Sequence, residues 1–461
     1  MTAPRASTAP IKIGSIGEPL LLRNVGKPEA LTVEGYRQRG GYKALAQALA
    51  MEPGAITDLV KASGLRGRGG AGFPTGMKWG FIPKEAKQKY LVVNADESEP
   101  GTFKDRVLME HDPHQLIEGS AICCRAVGAS MCYIYIRGEY VEAAAILDAA
   151  IADAYAQGVL GDDVLGSGFK LDMVVHRGAG AYICGEETGL LESLEGKRGQ
   201  PRVKPPFPAV VGAFGMPTVI NNVETLCCVP HIVERGAEWF KAIGTDEKNT
   251  GPKLYAVSGH VAKPGTYEVP IGITFQELLD LCGGMWRGPR GDEAKPRELK
   301  AFIPGGASAP VLTAADRHIK LDFDTLAKAG TMLGSAAVMV IDETASMLQV
   351  AKRSAKFFNH ESCGQCTPCR EGTNWMEVLL THAAHGEATE GEVDLVPKVA
   401  KQIGGNSLCA LGDAAMMGVG PIVEKFRDEI LAEVKAAAGA HAQHVQKVPN
   451  GHRALPVLQE A

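Results

Sequence analysis

The spacing of apolar residues predicts an α/β unit in the first half of the chain. Short apolar runs at 90–94, 131–136 and 169–175 are typical of buried strands. The segment 143–154 lies between two of them and has apolar residues at helical spacing. Alternation of strand and helix favours a mostly parallel sheet that is covered on both faces.

The second half of the chain shows two other patterns. Short strand-like segments around one helical segment predict a small sheet crossed by one helix, with strands near 254–258, 267–269, 299–303 and 337–341 and the helix near 275–281. Helical spacing then dominates and predicts a bundle, with helices near 347–358, 374–382, 393–403 and 422–434.

The two ends of the chain carry few periodic signals. Residues 1 to about 40 are expected to be an extended lead-in before two short helices, near 41–50 and 55–62. Residues from 436 onward mix Ala, His, Gln and Pro and are expected to be a disordered tail. The predicted organisation is therefore a lead-in at 1–40, an α/β domain at 41–250, a small domain at 251–342, a bundle at 343–435 and a tail at 436–461.

Composition narrows the class of protein. The 461 residues are 45% apolar and 22% charged, with a formal net charge of -5, which gives no general attraction for nucleic acid or an anionic membrane. The longest strongly apolar run, near 333–341, is much shorter than the ~20 residues that cross a bilayer. We expect a cytoplasmic protein without direct membrane insertion, whose 11 cysteines are thiols or metal ligands.

A glycine-rich stretch at 64–79 is the first candidate site. It holds six glycines together with Arg66, Arg68, Lys78 and two aromatic residues, a composition that favours a cradle for a phosphorylated planar cofactor over a flexible surface loop. Residues 67–72 satisfy G-x-G-x-x-G, but a helical segment and not a strand precedes them, so an ordinary Rossmann turn is not expected.

Polar groups elsewhere complement this basic stretch. Asn94, Asp96 and Glu97 follow a predicted strand, and their acceptor groups suit the ribityl hydroxyls or pyrimidine edge of a flavin; the alternative is a solvated, helix-capping turn. A second glycine-rich turn precedes a helix that starts near Gly185, whose amides could touch a cofactor. A stiff, proline-rich loop presents Lys204 and Phe207.

The run Cys363-x-x-Cys366-x-x-Cys369 is the sharpest motif. Three thiolates with two-residue gaps are typical of a cubane iron-sulfur site, whereas a zinc site usually uses two separated pairs. A fourth ligand must come from elsewhere, and Cys409, in a polar glycine turn at a predicted helix junction, is the best candidate.

Together these motifs resemble the NADH-binding flavoprotein subunit of respiratory complex I, the NADH:quinone oxidoreductase, over nearly the whole chain. The resemblance implies non-covalent FMN, NAD(H) stacked over the flavin and one 4Fe-4S cluster. It implies an α/β and α+β multidomain fold, with a modified Rossmann-like FMN domain, a ubiquitin-like (β-grasp) middle domain and a C-terminal helical bundle that carries the cluster.

The resemblance also implies roles for individual residues, with hydride transfer by FMN and no side-chain general base. Glu99 and Glu187 would tune and position the cofactors, and the acidic Glu187 would favour NADH over NADPH. The phosphate side of FMN would contact Arg66, Gly67, Gly69, Gly70 and Lys78; the rest of the flavin would contact Asn94, Asp96, Glu97, Gly185, Asn221, Asn222 and Thr225; and NADH would lie near Phe73, Phe81, Phe207, Glu99, Glu186, Glu187 and Lys204.

The implied partners are the other iron-sulfur subunits of complex I, a small 2Fe-2S subunit and a large multi-cluster subunit, on the inner face of the cell membrane. Flavin subunits (diaphorases) of NAD-linked formate dehydrogenases or hydrogenases share these motifs. Hydrogenase chains often carry further iron-sulfur domains at an end, for which neither end here has the cysteines. A nucleotide-binding assembly module with structural zinc is the alternative from a different class.

Overall fold

A computed structural model describes residues 12–289, 291 and 295–446 of the chain. In this part of the chain ten strands form two sheets. The strands are β1 (Ile13–Ser15), β2 (Tyr90–Ala95), β3 (Met131–Ile136), β4 (Asp172–Arg177), β5 (Thr218–Asn222), β6 (Pro252–Gly259), β7 (Gly265–Pro270), β8 (Leu299–Ile303), β9 (Leu312–Thr313) and β10 (Ala337–Asp342).

Helices make up most of the remaining described chain. The α-helices are α1 (Val33–Gln38), α2 (Lys43–Ala50), α3 (Pro53–Ala62), α4 (Thr75–Gly80), α5 (Lys104–His111), α6 (Pro113–Val127), α7 (Val141–Ala156), α8 (Glu187–Leu194), α9 (Val223–Arg235), α10 (Ala237–Lys241), α11 (Phe275–Leu281), α12 (Phe323–Lys328), α13 (Met347–Glu361), α14 (Thr367–His385), α15 (Glu390–Ile403), α16 (Ala410–Lys425) and α17 (Arg427–Gln446). Short 3-10 helices lie at Pro28–Leu31, Val164–Gly166, Tyr182–Gly185, Ala213–Gly215 and Ala314–Asp316. None of these helices is both long and apolar enough to cross a membrane.

The predicted parallel sheet is confirmed, in the order β4-β3-β2-β5. Successive side chains of a strand point to opposite faces, so Leu91 and Val93 enter one hydrophobic core and Val92 enters another. The first core contains α6, α7 and α9, and the second contains α8 and the C-terminal helices. Because both faces are covered, the chemistry of this unit is confined to the ends of its strands.

The second sheet is mixed, in the order β1-β7-β6-β10-β8-β9, and α11 packs across it as predicted. Its edge strand β1 comes from the lead-in, where Ile13 is the parallel partner of Thr266. The carboxylate of Glu268 also accepts hydrogen bonds from the amides of three consecutive leucines, Leu20, Leu21 and Leu22. The prediction of an extended lead-in is therefore wrong over 12–40, because a three-residue strand and a six-residue helix are too short to give a periodic signal. Residues 1–11 of the predicted lead-in lie outside the described residues.

Five helices, α13 to α17, form the predicted C-terminal bundle. A single helix over 422–434 was predicted, but the chain turns at Phe426, between α16 and α17. The prediction of a disordered tail is wrong as far as Gln446, because α17 continues to that residue. Alanine has the highest helix propensity, and the small Ala437 and Ala438 let the helix backbone lie against Gly386. The rest of the predicted tail, 447–461, lies outside the described residues.

Candidate functional site

The glycine-rich stretch forms a closed loop between α3 and α4. The amide of Gly67 donates to the carbonyl of Phe73 at 2.8 Å, which folds the loop back on itself. Gly70 and Gly72 have φ angles of 140° and 63°, a conformation that favours glycine. Since a helix precedes the loop, it is not the strand-to-helix turn of an ordinary dinucleotide fold, as the sequence indicated.

The loop lies against the start of α9. A Cβ atom at Gly69 would stand only 2.9 Å from the Cβ of Asn222, the residue that precedes the helix. The amide of Arg68 donates to Oγ1 of Thr225, in the first turn of α9, at 2.8 Å. The loop is thus held against a helix N-terminus, where free amides and the helix dipole favour an anion.

Asn222 shows that this junction has the polar groups FMN requires. Its Nδ2 donates to Asp105 at 2.6 Å, whereas its buried Oδ1 has no hydrogen-bond partner among the described residues. The Asn222 side chain makes no capping hydrogen bond to the first turn of α9. FMN offers hydroxyl and ring N–H donors to an acceptor of this kind, and a phosphate to first-turn amides. The residues at the junction therefore fit a phosphorylated flavin.

Residues of two neighbouring strands meet at the same edge of the parallel sheet. Asn94 of β2 and Asn222 of β5 are register partners at the carboxyl ends of their strands. The Nδ2 of Asn94 donates to the carbonyl of Gly185 at 2.8 Å, and its Oδ1 accepts from the amide of Asp96 at 3.2 Å. The structure therefore brings together four of the predicted flavin contacts.

Asp96 is a buried acid at this edge. Burial raises the pKa of Asp96 to about 7, although a hydrogen bond from the hydroxyl of Ser98 at 2.9 Å lowers it. A Cβ atom at Gly185 would stand 3.2 Å from Oδ2 of Asp96, so glycine at this position leaves the carboxyl group accessible. Near neutral pH this side chain can present either a protonated or an ionised carboxyl group to a ligand.

Glu97 does not face the glycine loop. One of its oxygens accepts from the amides of Lys104 and Asp105, and the other accepts from the amide of Arg106 and the hydroxyl of Tyr140. Both oxygens thus stabilise the start of α5. The carboxylate thus acts as the helix cap of the alternative interpretation, although it is buried, and its contact with the flavin stays a prediction.

The side chain of Arg66 has three partners among the described residues of the protein. Its Nε donates to the carbonyl of Gly72 at 2.8 Å, its Nη1 lies 3.2 Å from Asp324, and its guanidinium lies 4.3 Å from the ring centroid of Phe323. Arg66 therefore holds the loop against α12, and its contact with the FMN phosphate stays a prediction. Arg68 is buried and donates to the carbonyl of Thr250, so it does not supply an exposed charge.

Asn221 connects two elements that border the site. It is buried, and its Oδ1 accepts a hydrogen bond from Nε1 of Trp79 at 2.8 Å. The indole itself is 2% exposed and belongs to the first core, so it offers no ring face to a cofactor. Asn221 therefore fixes α4 and β5 relative to each other, and its contact with the flavin stays a prediction.

Two acids and two lysines form a cluster at the start of α8. The Nζ of Lys204 lies 2.9 Å from both Glu186 and Glu187, and the Nζ of Lys78 lies 3.3 Å from Glu187. Burial opposes ionisation of Glu187, but the charges of Lys78 and Lys204 hold its pKa below the usual value. Glu186 also caps α8 through the amides of Thr188 and Gly189. The negative charge of Glu187 is thus largely balanced before any ligand binds.

Three phenylalanine rings stand exposed near these charged groups in the sequence. Phe73, Phe81 and Phe207 are 45%, 56% and 57% exposed, values that are high for apolar rings. Phe73 and Phe81 lie together, with ring centroids 6.1 Å apart. Exposed aromatic rings suit stacking on a planar base, and the enclosure of NADH by these rings stays a prediction.

Glu99 and Tyr182 connect the loop after β2 to the C-terminal bundle. Glu99 accepts from the hydroxyl of Tyr182 at 2.7 Å and from the amide and hydroxyl of Ser308 at 2.7 and 2.9 Å. Burial raises the pKa of Glu99, while these hydrogen bonds lower it. The ring of Tyr182 packs against Phe357 of α13, and its amide donates to Glu361 at the end of that helix. Sequence reasoning missed Tyr182, although it lies in the second glycine turn.

The four predicted cluster cysteines lie at the ends of bundle helices. Cys366 precedes α14 and Cys369 lies in its first turn, Cys363 is in the segment before it, and Cys409 precedes α16. All four pack against the second core, and the amide of Leu408 donates to the sulfur of Cys366 at 3.3 Å, which joins the two cysteine segments. The carbonyl of Cys363 accepts from the side chains of the proline-rich loop, Arg198 and Gln200, at 3.3 and 3.4 Å.

This donor set fits an iron-sulfur cluster. Among the described residues, no group of three or more His, Cys, Asp or Glu side chains converges closely enough to hold a single metal ion. In a cubane each thiolate binds a different iron, so the four sulfurs stand farther apart than the ligands of one ion. The seven other cysteines are buried, as expected of packing residues.

Comparison with known proteins gives the same division of the chain. The family model of the Nuo51 FMN-binding domain matches residues 60–231, that of the SLBB domain matches 254–312, and that of the NADH-ubiquinone oxidoreductase-F iron-sulfur binding region matches 349–433. The second F subunit of the NADH-quinone oxidoreductases of Rhizobium meliloti is 55% identical over 420 residues, which cover 91% of this chain and 98% of the relative. This chain belongs to the family of NADH-quinone oxidoreductase F subunits.

Further members and a solved structure extend the comparison. The F subunit of the NADH-quinone oxidoreductase of Streptomyces coelicolor is 50% identical over 412 residues, or 89% of this chain and 90% of that protein. The crystal structure of an air-oxidised NAD⁺-reducing [NiFe]-hydrogenase is similar to 94% of this chain and 72% of its own, with a TM-score of 0.77 and 35% identity. The quinone oxidoreductase relatives have the higher identity and are matched over more of their own length. FMN and a 4Fe-4S cluster are the cofactors of this family's domains.

Proposed function

We propose that this chain is the NADH-oxidising subunit of an NADH:quinone oxidoreductase, with FMN and NADH bound by residues 41–250 and a 4Fe-4S cluster in the bundle from residue 343. The observation that carries the proposal is the position of Tyr182. Its hydroxyl bonds Glu99 of the loop after β2, and its amide bonds Glu361, two residues before Cys363. One residue therefore contacts both the loop after β2 and the cluster segment, which supports a short distance between FMN and the cluster, as one-electron transfer requires.

FMN supplies the exchange between a two-electron hydride and the single electrons that an iron-sulfur cluster accepts. The residues of the chain would bind and orient the cofactors and shield them from water. Asn222 and the first turn of α9 would hold the phosphate and ribityl groups. Asn94 and Asp96 would orient the ring through hydrogen bonds, and Tyr182, packed between two modules, would exclude water from the path to the bundle.

Cys363, Cys366, Cys369 and Cys409 would bind the four irons of the cluster. Three come from one short segment and the fourth from the turn before α16, so the cluster would fix α14 and α16 relative to each other. Metal binding and the folding of this end of the bundle would therefore be coupled.

The group of charged side chains around Glu187 predicts a preference for NADH over NADPH. Glu186, Glu187, Lys78 and Lys204 balance in charge, so a 2′-phosphate would add uncompensated negative charge beside two carboxylates. Glu187→Ala would leave one acid to balance both lysines. It should lower the ratio of kcat/KM for NADH to kcat/KM for NADPH about tenfold. The measurement uses an artificial electron acceptor and purified protein.

Glu238→Ala is the matched control, since Glu238 is an exposed acid paired with Lys241 at 2.8 Å on α10. It should leave the NADH preference as in the unaltered protein. Equal turnover with both nucleotides before any substitution, or an unchanged ratio in Glu187→Ala, would contradict this assignment.

The chain would work within an assembly, because a cluster at the bundle has no onward acceptor in the sequence. The partners would be iron-sulfur subunits, including a small 2Fe-2S subunit and a large multi-cluster one, and the assembly would lie on the cytoplasmic face of the membrane. The relatives' name, NADH-quinone oxidoreductase, supports this proposal. It is tested by purification from native membranes, and recovery of a lone chain that reduces quinone unaided would exclude it.

A diaphorase subunit of a hydrogenase is the second candidate, favoured by the 35% identical hydrogenase structure. The two candidates differ in the assembly that copurifies, which either reduces quinone or contains a hydrogen-oxidising subunit.

A further inference from the structure

A cluster of buried charges lies beneath the junction of the glycine loop and α9. Lys104, Glu224 and Lys253 are each 0% exposed, and Asp105 is 3% exposed. Lys104 and Asp105 start α5, Glu224 lies in the first turn of α9, and Lys253 is the second residue of β6. The cluster therefore joins the parallel sheet's domain to the mixed sheet. Charges so far from water persist only when other charges or hydrogen bonds compensate them.

The two lysines share one oxygen. Oε2 of Glu224 lies 2.7 Å from the Nζ of Lys104 and 2.6 Å from the Nζ of Lys253. Lys104 has a second carboxylate, Asp105, at 2.7 Å. The further partners of Lys253 are neutral carbonyls, the nearer being that of Leu254 at 3.0 Å. Lys253 is therefore the cation of the cluster with the weaker compensation.

The net charge of the cluster depends on protonation. Arg68, which is 1% exposed and donates to the carbonyl of Thr250 at 2.6 Å, is a third buried cation beside the two lysines. Against these three stand the carboxylates of Asp105 and Glu224. The nearby Glu97 adds only part of a negative charge near neutral pH, because burial raises its pKa to about 7. Burial likewise lowers the pKa of Lys253 to about 7, so protonation of Lys253 shifts the cluster from near neutrality toward positive charge.

The cluster touches the flavin junction at two points. The second oxygen of Asp105 accepts from Nδ2 of Asn222 at 2.6 Å, and the backbone of Arg68 is itself part of the glycine loop. A path of polar contacts thus runs from the half-buried Asn222 through Asp105, Lys104 and Glu224 to Lys253, and the four charged residues of this path are buried. In such a low-dielectric setting charges interact over longer distances than in water.

We propose that Lys253 is a positioning residue that sets the reduction potential of FMN, because its buried positive charge stabilises the negative charge that the flavin gains on reduction. The inference rests on the proposed function, in which FMN binds at this junction. A hydride carries two electrons and one proton, so its transfer adds one negative charge to the flavin and leaves NAD⁺. The neighbouring charges act with Lys253, which is the one of the two lysines without a second carboxylate.

The same geometry makes Lys253 exchange a proton. Burial lowers its pKa to about 7; Glu224 opposes this effect, and Lys104 and Arg68 reinforce it. Negative charge on the flavin raises the pKa of Lys253, so the amine binds a proton from solvent as the flavin is reduced. Each reduction then takes up more protons near neutral pH, and the reduction potential falls more steeply with rising pH than it would without this group.

The test is a redox titration of FMN in the full-length, cofactor-loaded protein at several pH values between about 6 and 9, a range that brackets the pKa of Lys253. Flavin absorbance follows FMN, and electron paramagnetic resonance follows the cluster separately. Lys253→Met should lower the FMN potential, which corresponds to about a tenfold loss in the equilibrium constant for reduction. Lys253→Arg keeps the charge but does not titrate, so it should retain the potential at pH 6 and lose the extra steepness.

Lys300→Met is the matched control, because Lys300 is a half-buried, ion-paired lysine of the same sheet, 2.9 Å from Glu429. Its FMN potential should equal that of the unaltered protein. A purely structural role predicts a lower unfolding temperature for Lys253→Met with an unchanged potential, and that result would overturn the inference. If Lys253→Met does not retain FMN, the pH dependence of Lys253→Arg decides, and a slope equal to that of the unaltered protein overturns it.

Failure of the proposed function and failure of this inference give different results. Unaltered protein that contains no FMN, or whose FMN is not reduced by NADH, contradicts the proposed function. FMN that is present and reduced by NADH, but insensitive to Lys253, contradicts only this inference.

Discussion

Replacement of Cys366 by serine should abolish electron delivery to quinone and leave NADH oxidation at the flavin nearly unchanged. Serine is a poor ligand for iron, and Cys366 lies where the two cysteine segments meet, since its sulfur accepts from the amide of Leu408. Loss of outer contacts of metal ligands costs 10–100-fold, so loss of a ligand itself should cost about 100-fold or more in NADH-to-quinone activity. The flavin side uses other residues, and small oxidants that react at FMN should still be reduced.

The measurement compares NADH-to-quinone and NADH-to-artificial-acceptor activities in the native assembly, with the FMN content and the cluster's electron paramagnetic resonance signal recorded for each sample. Cys282→Ser is the control, because Cys282 is a buried thiol in the core between α11 and the mixed sheet, outside the core that contains the bundle helices. Full quinone activity in Cys366→Ser with flavin present and no cluster signal would remove this cysteine from the electron path.

Gly69→Ala should produce protein that loses FMN. The added Cβ would stand 2.9 Å from the Cβ of Asn222, which cannot move away freely because its Nδ2 is bonded to Asp105. Either the loop or Asn222 must shift, and both belong to the proposed phosphate and ribityl site. We expect FMN to bind about tenfold more weakly or worse, a loss of at least ~1.4 kcal/mol in binding free energy.

Gly54→Ala makes a good comparison, because no atom lies within 4 Å of the Cβ that it would add on α3. Flavin released by denaturation and measured by fluorescence gives the FMN content of both variants after identical purification. Normal FMN content in Gly69→Ala, with an unchanged thermal unfolding temperature, would show that the cofactor does not bind where the loop meets α9.

Local patterns predicted the elements that have one polar and one buried side, or that are short and strongly apolar. The strands β2 and β3 and the helix α11 fall where the sequence predicted them. Helix α6, by contrast, was missed. Nearly every residue of Pro113–Val127 is buried, including His114, Gln115 and Glu118. The helix therefore has no polar face, and its buried polar residues interrupt the apolar spacing that would predict a helix.

Sequence patterns predicted which residue types form the site better than they predicted what each side chain contacts. The three-cysteine run and Cys409 could be predicted as ligands because their chemistry is encoded in spacing and local polarity. Arg66 and Glu97 carry charges of the right sign for a cofactor, yet their partners Asp324 and Tyr140 come from distant parts of the chain. Such pairings arise only when the domains pack together, and no local pattern records them.

The burial of Lys253 is the extreme case of this limit. Its position near the start of a strand is ordinary, and its partner Glu224 is 29 residues away. Only the fold shows that Glu224 is shared with Lys104, and only the packing of α5, α9 and β6 removes all three from water. The arrangement of buried charges beneath the junction of the glycine loop and α9 is therefore a property of the tertiary structure.

Anaerobic titration of the purified full-length protein with NADH, followed by its visible spectrum, tests the central claim most directly. We expect flavin and iron-sulfur absorbance before addition, and loss of the flavin band at about one NADH per FMN, as hydride stoichiometry requires. NADPH at the same concentration should bleach the flavin much more slowly. Colourless protein with bound zinc, or a flavin band that NADH does not bleach, would contradict the claim that this chain oxidises NADH at FMN.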